Sequence, residues 1–344
     1  MPAAAAAEAG AGDPGAVHGA DLGATLAAAL GAGPDRRPQS GANPARPAAS
    51  PAGSAPRQGG EKAMIRPAAA GGGRGGAALA ALAARLTDRD RRIALACHEH
   101  RVLTTEQLRR LHFQAARTAR ERLQELRELR VLASFRPPRQ PRAGSSPNHW
   151  VLDEAGALVV AAELGLERSE LRWQASAALA LASSSKLAHQ LAGNELVTRL
   201  AEEAQAAGGS VDPWWGERRA AELLDRIVSP DGYAHLKLPD EPALDLLLEL
   251  DRGTEDHQRL REKGRRYAKA LARSDLAEPL VLVLVPSLGR AERAAGTLAA
   301  SPAPIAVAVW TPEQGRSPLA LIGDSTTSPS IRAAARRRAA ERGT

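Results

Sequence analysis

The stretch PLVLVLVP at 279–286 is the feature that most narrows what this chain can become. Its apolar run is far too short to span a bilayer, and it has no polar side to turn toward water. Such a run folds as a strand covered on both faces of its sheet. PIAVAVW at 304–310 repeats the pattern, and helical periods fill the gaps at about 255–272 and 288–299. Upstream, SVDPWWGE (210–217), DGYAHLKL (231–238) and ALDLLLELD (243–251) read as further strands. A long helix at about 173–207, broken near the serines 183–185, precedes them. This order predicts a layered α/β domain over 170–325.

A different pattern occupies 77–165. Thr87 with Asp90, and Thr104 with Gln107, have the spacing of capping boxes, which start helices at about 88–99 and 105–112. A third helix is expected at about 115–130, with Ala119, Leu123, Leu126 and Leu129 on one face. VLASFRP (131–137) and NHWVLD (148–153) read as short strands, and a last helix covers about 154–164. Three helices followed by a two-stranded hairpin with a basic tip is the winged helix-turn-helix plan, in which the third helix enters the DNA major groove. The fold class expected is therefore α+β and multidomain. An N-terminal winged helix-turn-helix leads into a layered α/β domain.

Residues 1–76 are rich in Ala, Gly, Pro and Ser, with almost no large apolar side chains. They cannot bury enough area to offset chain entropy and are expected to be a disordered leader. Met64 is a possible alternative start. The tail at 326–344 is basic and expected to be disordered or helical. With one cysteine and no early basic cluster ahead of an apolar core, the chain reads as a soluble, cytoplasmic protein without a membrane partner.

The net charge is +7, and 41 of the 46 basic residues are Arg. Much of that is the signature of a GC-rich coding sequence, so only the placement of charge is informative. Residues 88–142 hold 14 Arg against 7 acidic residues, which equals the excess of the whole chain. Arg117, Arg120, Gln124 and Arg127 fall within one arc of the third helix, and Arg139 and Arg142 lie in the hairpin loop. Glu121, Glu125 and Glu128 are expected on another arc, leaving the stripe open to double-stranded DNA. The competing reading is a solvated face of ion pairs. DNA binding of this kind requires no cofactor.

The second constellation lies at the strand end LELD. Period-two alternation turns Glu249 and Asp251 to the same side of the sheet. SPDG (229–232) places Asp231 in the turn entering the previous strand, where a hairpin would bring it to Glu249. Converging carboxylates suit a hard cation such as Mg²⁺, which would polarise a phosphodiester and activate a water. Asp231, Glu249 and Asp251 are the candidate metal ligands. Asp231, Glu249 and Lys263 are the candidate catalytic set, with Lys263 one helical turn before Tyr267 and able to stabilise developing charge. The plainer readings also stand: SPDG is an ordinary turn, the acidic pair is a wet sheet face near Arg252 and Arg259, and Tyr267 is core. Cys97, His98 and His100 lack the spacing of a zinc site, and GGGRGG (71–76) lacks the context of a phosphate loop.

The order of helix, strand, strand with PD, strand with Glu, helix and strand resembles the PD-(D/E)xK nuclease superfamily. The resemblance implies a three-layer α/β restriction-endonuclease-like fold with an acidic pair at Asp231 and Glu249. Where that family has a lysine two residues after the Glu, this chain has Asp251, and Lys263 on the next helix is the residue in place to substitute. RIALACHEHRVLTTEQLRRLHF, RERLQELRELRVLASFRP, HWVLDEAG and LELDRGTE with KGRRYAKAL further resemble the replication-relaxation family over about 85–275. That resemblance implies a DNA-associated protein of plasmids or integrating elements, acting in replication, relaxation or conjugative transfer. Two alternatives accompany it: a metal-dependent DNA endonuclease, and an adaptor recruiting a relaxase or replication initiator.

Overall fold

The computed structural model describes residues 81–137, 146–251, 253 and 256–323. The leader, the hairpin-loop residues Arg139 and Arg142, and the basic tail lie outside the described residues. Within them the protein is a mixed α/β molecule with two sheets.

The first unit runs α1 (Asp88–Glu99), β1 (Leu103–Thr104), α2 (Thr105–His112), α3 (Ala116–Glu128), β2 (Leu132–Phe135), β3 (His149–Leu152) and α4 (Glu154–Glu163). Both capping boxes are present. The Thr87 and Thr104 side chains accept from the backbones of Asp90 and Gln107, whose side chains accept in return. β1, two residues long, is not among the expected elements. It pairs antiparallel with β3, Leu103 opposite Trp150, and the sheet order is β1-β3-β2. Trp150 Nε1 donates to Thr105 Oγ1 at 2.9 Å, which ties the sheet to the start of α2. Ile93, Leu108, Ala119, Leu123, Leu126, Val131 and Val160 are fully buried together. Each of the larger ones contributes about 1.5–3 kcal/mol. Gly156 is required here, because a Cβ would stand 2.1 Å from the Val131 carbonyl oxygen where α4 crosses β2.

The second unit opens with α5 (Ala175–Ala180), a short 3-10 turn and α6 (Leu187–Ala206). The expected helix breaks where Ser183 bonds back to the Ala180 carbonyl and Ser184 accepts from Lys186 N, local bonds that compete with the helix. Then come β4 (Ser210–Gly216), α7 (Glu217–Leu223), β5 (Gly232–Lys237), β6 (Leu244–Leu250), α8 (His257–Leu271), β7 (Pro279–Val285), α9 (Leu288–Leu298), β8 (Ile305–Val309) and α10 (Pro318–Gly323). The sheet order is β4-β5-β6-β7-β8. The first three strands form an antiparallel meander, and the last two add in parallel. Alternation sorts the side chains into two cores. Leu244, Leu246, Leu248, Leu280, Leu282 and Leu284 face α6 and α10. Leu247, Val281, Val283 and Val307 face α7, α8 and α9.

The two units pack through α2 and α6. Asn194 Nδ2 donates to the Val102 carbonyl at 2.7 Å. Arg110 pairs with Glu195 and Glu202, and Arg109 with Glu202. At the other end of α1, Glu99 accepts from Gly216 N, and His100 stacks on Trp214 with ring centroids 3.4 Å apart. Burial pushes the His100 pKa down to about 3, with the charge of Arg219 adding to it, so the stacked ring is neutral.

Candidate nucleic-acid interface and acidic sheet end

The α3 helix buries Ala119, Leu123 and Leu126 against its own unit, packing on α2 and β2. The opposite face does not carry the wholly open stripe expected of it. Arg117, 87% exposed, pairs with Glu121 at 2.7 Å, and Gln124 donates to Glu128. These partners lie one turn apart, and long side chains close that gap although their Cα positions occupy different arcs. Arg120 is exposed and Arg127 half-buried, and neither has an ion-pair partner among the described residues. The open positive charge on α3 therefore reduces to these two.

Arg122 had no role in the sequence reading, yet it fixes α3 in place. Its guanidinium reaches the fully buried Asp90 through Nε at 3.0 Å and Nη2 at 2.6 Å, and also pairs with Glu125. Burial raises the pKa of Asp90, but the bonds from Arg122 and Thr87 outweigh it and hold the carboxyl below its usual range. The capping aspartate of α1 thus also anchors α3.

At the end of β6, Glu249 is 4% exposed. Lys263 and Tyr267 lie four residues apart on one face of α8, and both reach it: Lys263 Nζ donates to Oε2 at 2.7 Å, the Tyr267 hydroxyl to Oε1 at 2.5 Å. Burial pushes the Glu249 pKa up to about 7. The Lys263 charge opposes that rise, and the nearby Asp231 charge adds to it. The hairpin register explains the neighbourhood, since Gly232 stands opposite Leu248 and Asp231 N donates to the Leu248 carbonyl. Asp231, Glu249 and Lys263 thus come together at one sheet end.

The remaining oxygens are engaged as well. Asp231 Oδ2 accepts from Leu250 N at 2.7 Å, and Oδ1 lies 2.9 Å from His189 Nε2 on α6. Asp251 does not join the group. It is buried against Arg290 of α9, whose Nε donates to Oδ2 at 2.8 Å, while Oδ1 accepts from Gly253 N. Among the described residues no group of three His, Cys, Asp or Glu side chains is placed to hold a metal ion. As arranged, this donor set does not fit a divalent cation, because Glu249 and Asp231 already accept from the protein.

A second polar cluster, on the same side of the sheet, was also missed. Asp245 Oδ1 accepts from the Tyr233 hydroxyl at 2.8 Å and lies 2.7 Å from His235 Nδ1. Writing out the register would have found it, because the pairing that joins Asp231 to Glu249 sets His235 opposite Asp245. Trp214 and Trp215 are both half-buried. The first stacks on His100, and the second lies against Tyr233 and Arg219.

A family model described as replication-relaxation matches residues 96–281, more than half of the chain. The protein belongs to the replication-relaxation family. The matched span of this replication-relaxation protein runs from the end of α1 into β7, so it holds α3, the α2–α6 contact, Asp231, Glu249 and Lys263. Comparison with curated proteins and with solved structures gave no match. Among the described residues, no helix is long and apolar enough to cross a membrane.

Proposed function

We propose that this protein binds duplex DNA through a winged helix-turn-helix, carried on a nuclease-like α/β scaffold, in the replication, relaxation or transfer of a plasmid or integrating element. The connectivity α1–β1–α2–α3–β2–β3, with β1 closing the sheet beside β3, supports the winged-helix reading. The observation that carries it is the pair Arg120 and Arg127, unpaired on α3 while α2 is held against α6. Open guanidinium groups on a helix of a packed unit suit phosphate and base-edge contacts, which supports the reading. Family membership supports the biological setting. In the test, Arg120→Ala with Arg127→Ala weakens binding to a labelled duplex and lowers the salt dependence by about 2 in log–log slope. Unchanged binding would refute the reading.

A second reading, a Mg²⁺-dependent endonuclease, is supported by the convergence of Asp231, Glu249 and Lys263 on a three-stranded meander, although α7 between β4 and β5 interrupts the expected helix–three strands–helix–strand order. Against it stand the protein donors on both carboxylates and the Asp251–Arg290 pair. We therefore place binding ahead of cleavage. Metal-dependent nicking of plasmid DNA that is lost in Glu249→Gln would reverse this order.

A further inference from the structure

The sequence placed the charge excess in residues 88–142, but the fold gathers a second positive surface on α8. Residues 257–273, the helix and the turn after it, include seven Lys or Arg and one acid, Glu262. Leu260, Gly264, Tyr267 and Ala270 are buried against the sheet, while Arg259, Arg261, Arg265, Arg266, Lys269 and Arg273 are all exposed. At 100° per residue the five cations on the helix itself occupy less than half of its circumference, an arc that Glu262 shares. Some of their charge is engaged locally. Arg265 meets Glu262 at 3.2 Å, Arg259 meets Asp256 and Arg273 meets Asp225 at 3.7 Å, and Arg266 donates to the Ile227 carbonyl. Arg261 and Lys269 have no ion-pair partner among the described residues.

A merely solvated face would also alternate signs along its i, i+4 rows. Here Arg261, Arg265 and Lys269 form an unbroken i, i+4 row in which each neighbouring pair repels, and Arg273 follows in the turn after the helix. The first turn contains no acidic residue and bears Arg259, which opposes the helix dipole. Both features cost the isolated helix stability; Asp256 at the N-cap and Glu262 beside Arg265 offset part of it, and an anion along the row would offset more. From Arg261 to Lys269 the row is about 12 Å long. A duplex presents roughly seven phosphate charges along that length. Lys263 borders the row and turns inward to Glu249, so the face adjoins the acidic sheet end.

We propose that the outer face of α8 is a second contact surface for duplex DNA, separate from α3. Arginine predominates in the row, and its planar fork suits phosphate oxygens. The surface gives the protein two phosphate-binding elements on one packed body.

The test is equilibrium anisotropy of the full chain with a labelled duplex across a KCl series. Four proteins are compared: wild type, Arg120→Ala/Arg127→Ala, Arg261→Ala/Arg265→Ala/Lys269→Ala, and the combination. The triple variant is expected to bind at least about tenfold more weakly and to lower the salt slope by about 3, near 0.9 per phosphate contact. The combination is expected to lose the binding that remains in the double variant. A triple variant equal to wild type in affinity and slope overturns the proposal and leaves the α3 reading standing. The reverse result, loss in the triple variant with none in the double, sinks the α3 reading and keeps this one. Arg261→Lys/Arg265→Lys keeps the charge and is expected to keep the slope; if it loses binding too, the effect is structural and the proposal fails. Polyglutamate displacing the protein as well as unlabelled duplex does would assign the face to an acidic protein and overturn the DNA assignment.

Discussion

The side-chain amide of Asn194 on α6 donates to the Val102 carbonyl of the first unit at 2.7 Å, and both residues are closed to solvent. A second, longer bond runs from the same nitrogen to the His100 carbonyl. Neither carbonyl has water as an alternative partner, so Asn194→Ala is expected to cost about 1–3 kcal/mol. Asn194→Asp is expected to cost more, because it sets an acceptor against two acceptors. Urea denaturation measures both, and amide exchange at residues 100–104 is expected to speed up in each. Unchanged exchange there would show that the contact does not hold the units together.

Asp90 gives a pH prediction with a definite sign. Its carboxyl titrates below the ordinary value of 3.8 in the folded protein, so its stabilising contribution is full above that value. It is lost as pH falls through the folded value. Arg122→Ala leaves a buried carboxylate held only by Thr87 and is expected to destabilise by about 3 kcal/mol near neutral pH. The deficit is expected to shrink in acid, where Asp90 is protonated in both states. A deficit independent of pH would contradict the pairing.

Glu249 has the opposite sign. Its pKa is raised from 4.5 to about 7, so the folded state holds a proton that the unfolded state releases. Its contribution is full below pH 4.5 and declines as pH rises to about 7, by an amount on the order of 1–3 kcal/mol. Denaturation curves at steps across that window are expected to lose this decline in Glu249→Gln. In Lys263→Met the decline is expected to extend to higher pH, because the opposing charge is gone. Identical profiles for wild type and Glu249→Gln would show that Glu249 titrates normally.

Supercoiled plasmid incubated with the protein and Mg²⁺ or Mn²⁺ is expected to stay intact, and duplex affinity is expected to be the same with and without chelator. The reason is local. Lys263 and Tyr267 occupy Glu249, and His189 with Leu250 N occupies Asp231. Agarose gels after long incubation check the first expectation and anisotropy the second.

Much of this arrangement was legible because it depends on neighbours in sequence. Thr87 with Asp90 and Thr104 with Gln107 set the starts of α1 and α2, and the serines at 183–185 marked the break before α6. Alternation along β6 and a four-residue step on α8 brought Glu249 and Lys263 together. What escaped depends on length or on distant packing. β1 has two residues, too few to show a period, and α7 follows directly from a strand. The His189–Asp231 and Asp251–Arg290 pairs join residues about forty positions apart, on elements whose relative placement only the assembled core sets. The Arg117–Glu121 bond escaped for another reason: helical arcs describe Cα directions, whereas long side chains choose their own reach.

The central claim, that α3 lies against DNA, has a direct test in the lone cysteine. Cys97 is buried and its thiol is pushed up to about 12, so it should resist alkylation while an exposed Thr118→Cys on α3 reacts. A chelated-iron cleavage reagent attached at position 118 is expected to cut bound duplex in a cluster offset across the major groove. It is expected to lose that cluster when Arg120→Ala and Arg127→Ala are added. Duplex held by the labelled protein but never cut from position 118 would place α3 away from the DNA and contradict the account.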